Sequence, residues 1–430
     1  MKSIIKKVII NILTIEAKLV LKKYKPKIVG VTGSVGKTST KDAIYTALST
    51  EFHVRKTMKS FNSEIGIPLT ILGLPTGWSS MKVWISNIFK GLMLIFKKSE
   101  YPAWLVLEIG ADRPGDIERI MKWVKLDIAV FTRIGKVPVH VEFYKSVAEV
   151  VKEKSNLLHG LKSDGTVILN ADDEDVVRFK DLTSAKCVQF SIKEKADVSA
   201  SYPTITYDEK GAPTGMGFKV DIEGSSFPVI LHQALGNQHV YPILAAFAAA
   251  HTLKLNLIKV ADAFLNHELP PGRMNIIAGK NNSTIIDDTY NASPLAVEEG
   301  IRLVDSIETK AKKIAILGDM LELGKHSVEE HMRLGALAAG VFDKVIAVGI
   351  RSKDFLLGAK NKKMSDKNIM WYGSSLEAKN DIEKIVKAGD IVYVKGSQGA
   401  RMERIVEVLM NDPAGKSELL VRQEEEWLNR

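Results

Sequence analysis

The stretch GVTGSVGKTST, Gly30 to Thr40, follows the apolar run KIV and leads into KDAIYTALST. An apolar strand, a glycine turn and a helix, in that order, make the context in which a chain cradles phosphate. The common loop, G-x-x-x-x-G-K-[ST], would need glycine at 31, where Val31 stands. The glycines fall at 33 and 36 instead. Gly33 and Gly36 let the backbone turn with N–H groups aimed inward, and the helix start adds its dipole. Gly33, Ser34, Val35, Gly36, Lys37, Thr38 and Ser39 are therefore the expected nucleotide loop. Lys37 supplies a point charge for the β- and γ-phosphates, and Thr38 a hydroxyl for Mg2+.

Outward from the loop, apolar runs (AWLVLEIG, LDIAVFTRIG, GTVILNADD) alternate with helical patterns (DIERIMKWV, SVAEVVKEKSNLLHGL). That alternation predicts a mostly parallel sheet covered on both faces. From about Ala196 to Leu235 the runs are short and alternating, with Gly, Pro and Ser between them, and predict antiparallel strands. YPILAAFAAAHTL then reads as a small-residue helix. ELPPGRM, Glu268 to Met274, reads as a hinge. Beyond it STIIDD, KIAILGDM, KVIAVG and IVYVKGS, separated by helical stretches, predict a second, Rossmann-like doubly wound unit. The expected fold is thus α/β, with a basic amphipathic helix over 1–27, a central nucleotide-binding domain over 28–269 and a C-terminal domain over 270–430. Ligands of such sheets bind at the carboxyl ends of strands, which here carry Asp287, Asp288, Gly318, Asp319, Gly349, Lys395 and Ser397.

A chain of 430 residues is too long for one typical core. Its 45% hydrophobic and 26% charged residues are ordinary for a globular protein. The net charge of +9 is spread along the chain and reads as a lysine-rich solvated surface. No RNA-binding signature or zinc-finger spacing is present, and no nucleic-acid partner is expected. Cys187 is alone, which excludes disulfides and cysteine zinc sites and favours a reducing, cytoplasmic compartment. The first 27 residues are basic and apolar by turns. Asn11, Glu16 and Lys18 interrupt the run and no small-residue cleavage site follows, so neither a signal peptide nor a spanning helix is expected. An amphipathic helix ending before Pro26 fits better, packed on the next domain or lying on a membrane surface. VWISNIFKGLMLIFKK, Val83 to Lys98, has the same character, and core packing is the plainer reading of both.

Three further residues carry chemistry only in company. Glu108 ends the strand AWLVLE, where its carboxylate suits Mg2+ or, equally, a cap or an ion pair. A lone His140 is more often structural than a ligand. Lys154 sits on a helical pattern and would ordinarily be solvated.

Read together, these stretches resemble the Mur ligases, ATP-dependent amide-bond ligases of peptidoglycan precursor synthesis, and within them the MurF branch. The motifs are GVTGSVGKTST, FNSEIGIPLTIL, LEIGADRPGDI, VILNADDE, PPGRM, IIDDTYNASP, ILGDMLELG and VKGSQGARME, spread from about Ile28 to Val408. The resemblance implies ATP and Mg2+ as cofactors. It implies a UDP-MurNAc-tripeptide acceptor and D-Ala-D-Ala as the amine, joined through an acyl phosphate by a monomeric enzyme. Glu108 then matches the Mg2+-binding glutamate, His140 a second Mg2+ ligand and Lys154 the lysine that is carbamylated. Metal ligands would be Thr38, Glu108, His140 and the modified Lys154. Arg273, Asp288, Tyr290 and Asn291 match contacts of the C-terminal domain to the nucleotide. Asn62, Lys395 and Ser397 match contacts to substrates.

The sequence departs from the branch in three places. Only about 27 residues precede the loop's strand, fewer than the ~40 a domain usually needs, so the domain that grips the UDP-sugar is expected to be missing. The family's G-x-H-N-x-x-N stretch reads GNQHVYP, with Asn237, Gln238, His239 and Pro242 in its frame. SFNSEIG keeps one of two paired asparagines. A ligase with another, non-UDP or lipid-linked, carboxylate acceptor stays open, as do a peripheral contact at the inner membrane surface and a nucleotide-binding membrane scaffold without catalysis.

Overall fold

The computed structural model describes residues 3–58, 64–77, 80–136, 138 and 141–428. Nine strands form the first sheet: β1 Lys27–Thr32, β2 Val54–Lys56, β3 Trp104–Glu108, β4 Leu126–Phe131, β5 Leu161–Asn170, β6 Lys186–Ser191, β7 Val198–Tyr207, β8 Pro213–Ile222 and β9 Ser225–His232. Their order is β2-β3-β1-β4-β5-β6-β7-β8-β9. Neighbours are parallel as far as the β6–β7 pair, and β7, β8 and β9 are antiparallel, as the change of texture near Ala196 predicts. From β1 the chain moves to β2 and β3 on one side and then to β4 on the other. The turn after β1 is therefore a switch point, where open parallel sheets take ligands.

The second sheet holds β10 Asn275–Ala278, β11 Thr284–Asp288, β12 Lys313–Gly318, β13 Lys344–Val348, β14 Ile369–Tyr372 and β15 Ile391–Lys395, in the order β10-β11-β15-β12-β13-β14. Only β10–β11 is antiparallel. β3, β11 and β15 are buried at every residue and β1 at all but its first. Continuous apolar runs such as WLVL and IVYV follow from helices lying on both faces.

One face of the first sheet packs on helix α2, Lys37–Leu48, and on the small-residue helix Asn237–Thr252. The other face carries α1, Ser3–Tyr24, α3, Gly66–Leu72, and α4, Met81–Phe96. α1 stops before Pro26, whose ring disfavours helical geometry at the preceding residue. Its Leu13, Ala17 and Val20 are buried against the sheet. No described helix is long and apolar enough to cross a membrane.

The segment Glu268–Met274 joins the two sheets as irregular backbone. It is tied at its margins: Ile276 N–H donates to Gln233 O at 2.9 Å, Leu235 N–H to Met274 O at 3.2 Å, and Tyr290 N–H to Gly272 O at 3.0 Å. Those bonds carry the connection from the end of β9 into β10.

Candidate active site

The loop after β1 explains the shifted glycine. Val31 stays in the strand, fully buried, and the turn begins at Gly33 with φ 148°. A Cβ at Gly33 would sit 2.0 Å from Thr132 Oγ1. Gly36 opens α2 with φ 85°, a conformation that costs other residues strain. The N–H groups of Ser34 and Val35 both donate to Arg133 O, at 2.7 and 3.0 Å. The sequence reading aims the whole loop inward, whereas these two amides hold the loop against the end of β4. The first amides of α2, from Lys37 on, have no earlier helical carbonyl to bond and are the ones left for an anion. Lys37 Nζ folds back onto Gly33 O at 2.9 Å. Burial lowers its pKa and the Glu108 carboxylate opposes that shift.

A cavity of about 370 Å³ opens over this loop. The first sheet contributes residues Ser34 to Ser39, Glu108 and Asp112; the second contributes Arg273, Asp288, Tyr290, Asn291 and Lys395. Residues quoted from separate motifs thus meet on two facing walls. Glu108 is 2% exposed at the end of β3, and its N–H donates to Thr57 Oγ1 at 3.0 Å. Thr38 and Glu108 put two hard oxygen donors on one wall, a donor set suited to Mg2+, which keeps waters and phosphate oxygens for the rest of its shell. Among the described residues no group of three His, Cys, Asp or Glu could hold a metal. Asn62 and His140 lie outside the described residues.

Lys154 lies in the last turn of helix α6, Val147–Ser155, and is 3% exposed. Burial pushes its amine down to about 7, and the neighbouring Lys37 ammonium pushes the same way. Helix α6 is held by Glu153, whose carboxylate accepts the Gly115 and Ile117 N–H groups at 2.8 Å each, at the start of helix α5, Asp116–Met121.

On the opposite wall the Arg273 guanidinium stacks 4.1 Å from the Tyr290 ring centre. Asp288 and Lys395 form a buried ion pair, and Lys395 Nζ also donates to Asn291 O at 3.0 Å. Burial raises the Asp288 carboxyl and Lys395 lowers it. Ser397 does not line the cavity: its hydroxyl accepts Leu321 N–H at 2.9 Å and donates to Ala292 O at 3.4 Å, tying two loops together. In GNQHVYP, Gln238 lines the cavity, and His239 is buried with Nε2–H donating to Arg273 O at 2.7 Å. Burial lowers the His239 pKa to about 4, which keeps the ring neutral. A second cavity of about 240 Å³, lined by Tyr241 and Arg302 among others, shares Gln238 and Glu299 with the first.

Sequence reasoning missed two arginines. Arg133, two residues past the end of β4, pairs with Glu299 of the C-terminal part and lies 4.9 Å from the Tyr241 ring centre. Arg422, near the chain end, donates through Nη1 to Glu403 at 2.9 Å and Thr289 O at 3.1 Å, and through Nη2 to Tyr290 O. Both partners of each contact are far apart in sequence, so no local pattern signals them.

A family model described as the Mur ligase middle domain matches residues 31–85 and 87–250, just over half of the chain. A second, described as the Mur ligase, glutamate ligase domain, matches residues 272–398. The chain is 29% identical over 401 residues to the UDP-N-acetylmuramoyl-tripeptide–D-alanyl-D-alanine ligase of Bacillus subtilis (strain 168), covering 92% of this chain and 79% of that one. It is also 29% identical, over 409 residues, to the ligase of the same name from Buchnera aphidicola subsp. Acyrthosiphon pisum, with the same two coverages. Among solved structures, the MurF ligase from Thermotoga maritima in complex with ADP superposes with a TM-score of 0.74 at 27% identity, covering 93% of this chain and 83% of that one.

Proposed function

This chain belongs to the Mur ligase family and is an ATP-dependent ligase that forms amide bonds, and we propose that it joins D-alanyl-D-alanine to the tripeptide carboxylate of a UDP-MurNAc-tripeptide in peptidoglycan precursor synthesis. The observation that carries this reading is the two-walled cavity. It sets Lys37, Thr38 and Glu108 against Arg273, Asp288 and Tyr290. Its supports are the relatives named above, whose shared name states that reaction.

ATP would place its phosphates on the loop and the first amides of α2. Lys37 would exchange its bond to Gly33 O for the β- and γ-phosphates. Arg273, Tyr290 and Asn291 would meet the nucleotide from the other wall, with the cavity beside Gln238 and Tyr241 left for the base. Thr38 and Glu108 are the described residues that would hold Mg2+, joined by His140 and Lys154 if these take the family's roles. When bound, the ion would neutralise phosphate charge. Lys154 favours carbamylation because a buried amine pushed down to about 7 has a large free-base fraction near neutral pH, where an ordinary lysine has almost none. The nitrogen adds to CO2, loses a proton and becomes an anionic oxygen donor. The acceptor carboxylate attacks the γ-phosphorus as the bridging oxygen leaves with ADP. The amine then adds to the acyl carbon, and collapse expels phosphate while the nitrogen gives up its proton. Water exclusion between the two walls protects the acyl phosphate. Lys395 lines the cavity and is proposed to meet the amine substrate, with Asn62 on the acceptor side and Ser397 acting through the loops it ties. The reading takes 28–269 and 270–430 as two bodies preceded by the helix of 1–27. It puts a monomer in the cytoplasm with a peripheral contact at the inner membrane surface.

Phosphate release from ATP tests the proposal. Release that needs both UDP-MurNAc-tripeptide and D-Ala-D-Ala is expected. Release that ignores either substrate, or its absence with both present, would refute the assignment.

A further inference from the structure

α4 presents its apolar side in two opposite directions. Trp84, Asn87 and Gly91 face the body. On the far side Ile85, Phe89, Met93 and Phe96 are 51, 66, 52 and 81% exposed. Their spacing of three and four residues makes one stripe along the helix. α1 adds a stripe of the same kind, with Val8, Ile15 and Leu19 exposed beside the buried Ile9, Leu13 and Val20. Core packing accounts for the inner faces of both helices and leaves these outer ones without a neighbour among the described residues.

The stripes are held in place. The Glu16 carboxylate of α1 lies against Gly91, where a Cβ would come within 2.2 Å of it. Lys23 Nζ donates to Leu94 O at 2.9 Å and Ile95 O at 3.0 Å. Asn87 Nδ2 donates to Pro75 O at 2.7 Å. The exposure therefore belongs to a docked pair of helices.

Charge chooses the occupant. α4 contains Lys82 and Lys90, is followed by Lys97 and Lys98, and has no acidic residue. The one acid of α1 is the buried Glu16, while Lys7, Lys18 and Lys22 are exposed. A second copy meeting this face through two-fold symmetry would set lysines against lysines. An anionic bilayer offers both complements at once: an acyl boundary for the aromatic and aliphatic side chains and phosphates for the ammonium groups. We propose that the α1–α4 face docks this protein on an anionic lipid surface, lying in the interface and not crossing it. This gives the peripheral contact of the functional reading its face and its lipid chemistry.

Co-sedimentation of the full chain with vesicles, without ATP or substrate, tests this independently of the ligase reading. The protein should pellet with phosphatidylcholine vesicles containing about a third phosphatidylglycerol, stay in solution with phosphatidylcholine alone, and detach as salt rises. Phe89→Ser with Phe96→Ser should lower the partition coefficient about tenfold or more. Lys82→Glu with Lys90→Glu should lower it as well. Melting temperature and phosphate release from soluble substrates should stay unchanged in both variants, because these side chains lie in solvent away from the cavity. Failure of the wild type to bind anionic vesicles, equal binding to neutral ones, or binding retained in both variants would overturn the proposal. So would a concentration-dependent dimer abolished by the same substitutions, which would assign the face to a second copy.

Discussion

Lys154 shows how a residue's surroundings decide its chemistry. In the sequence it is one lysine of VKEKSNLLHGL, and spacing alone makes it a solvated one. In the fold it is buried beside Lys37, and burial together with that ammonium outweighs the pull of Glu153, Asp112 and Asp116, so the amine is pushed down to about 7. A neutral amine is the form that captures CO2. Lys154→Ala should therefore lower kcat about 10²- to 10³-fold while the protein stays folded, and added short carboxylates should restore part of it, as steady-state rates with and without them will show. Full activity in the untreated variant would remove Lys154 from the mechanism. Gly33, Gly36 and Lys37 differ from Lys154 in legibility. Positive φ and phosphate charge each demand one residue type, so the loop is readable letter by letter. Lys154 becomes readable only through the family resemblance, since burial by distant residues leaves no local mark.

Elements add what single residues lack. The end of β11 and the loop after it carry Asp288, Tyr290 and Asn291 to the cavity, and the loop is held from behind by Arg422. That guanidinium spans Glu403, Thr289 O and Tyr290 O, and Tyr290 in turn stacks under Arg273. Arg422 does not line the cavity and acts as a positioning residue through the residues that do. Arg422→Met should raise the KM for ATP about tenfold with a smaller change in kcat, and Arg422→Lys should recover part of the loss. A fall in melting temperature with unchanged KM would mean that the latch serves stability alone. The strands of this element were predictable, because STIIDD and IVYVKGS are apolar runs of strand length ending in polar residues. The latch was not: its partners stand 132 or more residues from Arg422 on one side and 19 on the other, and only folding brings them together. The same holds for Arg133 and Glu299, 166 residues apart.

At the scale of the molecule, the proposed catalytic surface lies where the two sheets face each other. The first supplies the proposed phosphate loop at its switch point, and the second supplies the stacked Arg273–Tyr290 pair and the Asp288–Lys395 pair. The Arg133–Glu299 ion pair and the neutral His239, bonded to Arg273 O, bind the two halves close to the site. Alternating apolar runs and the proline-rich ELPPGRM made the two-part architecture legible. The outward apolar face of α4 was not, because composition does not say which side of a helix the rest of the chain will cover. On the proposed function, the two halves together activate a carboxylate as an acyl phosphate. The most direct test labels the acceptor carboxylate with oxygen-18 and weighs the phosphate released during ligation. One labelled oxygen carried into each phosphate is predicted. Amide formation with unlabelled phosphate would rule out an acyl phosphate.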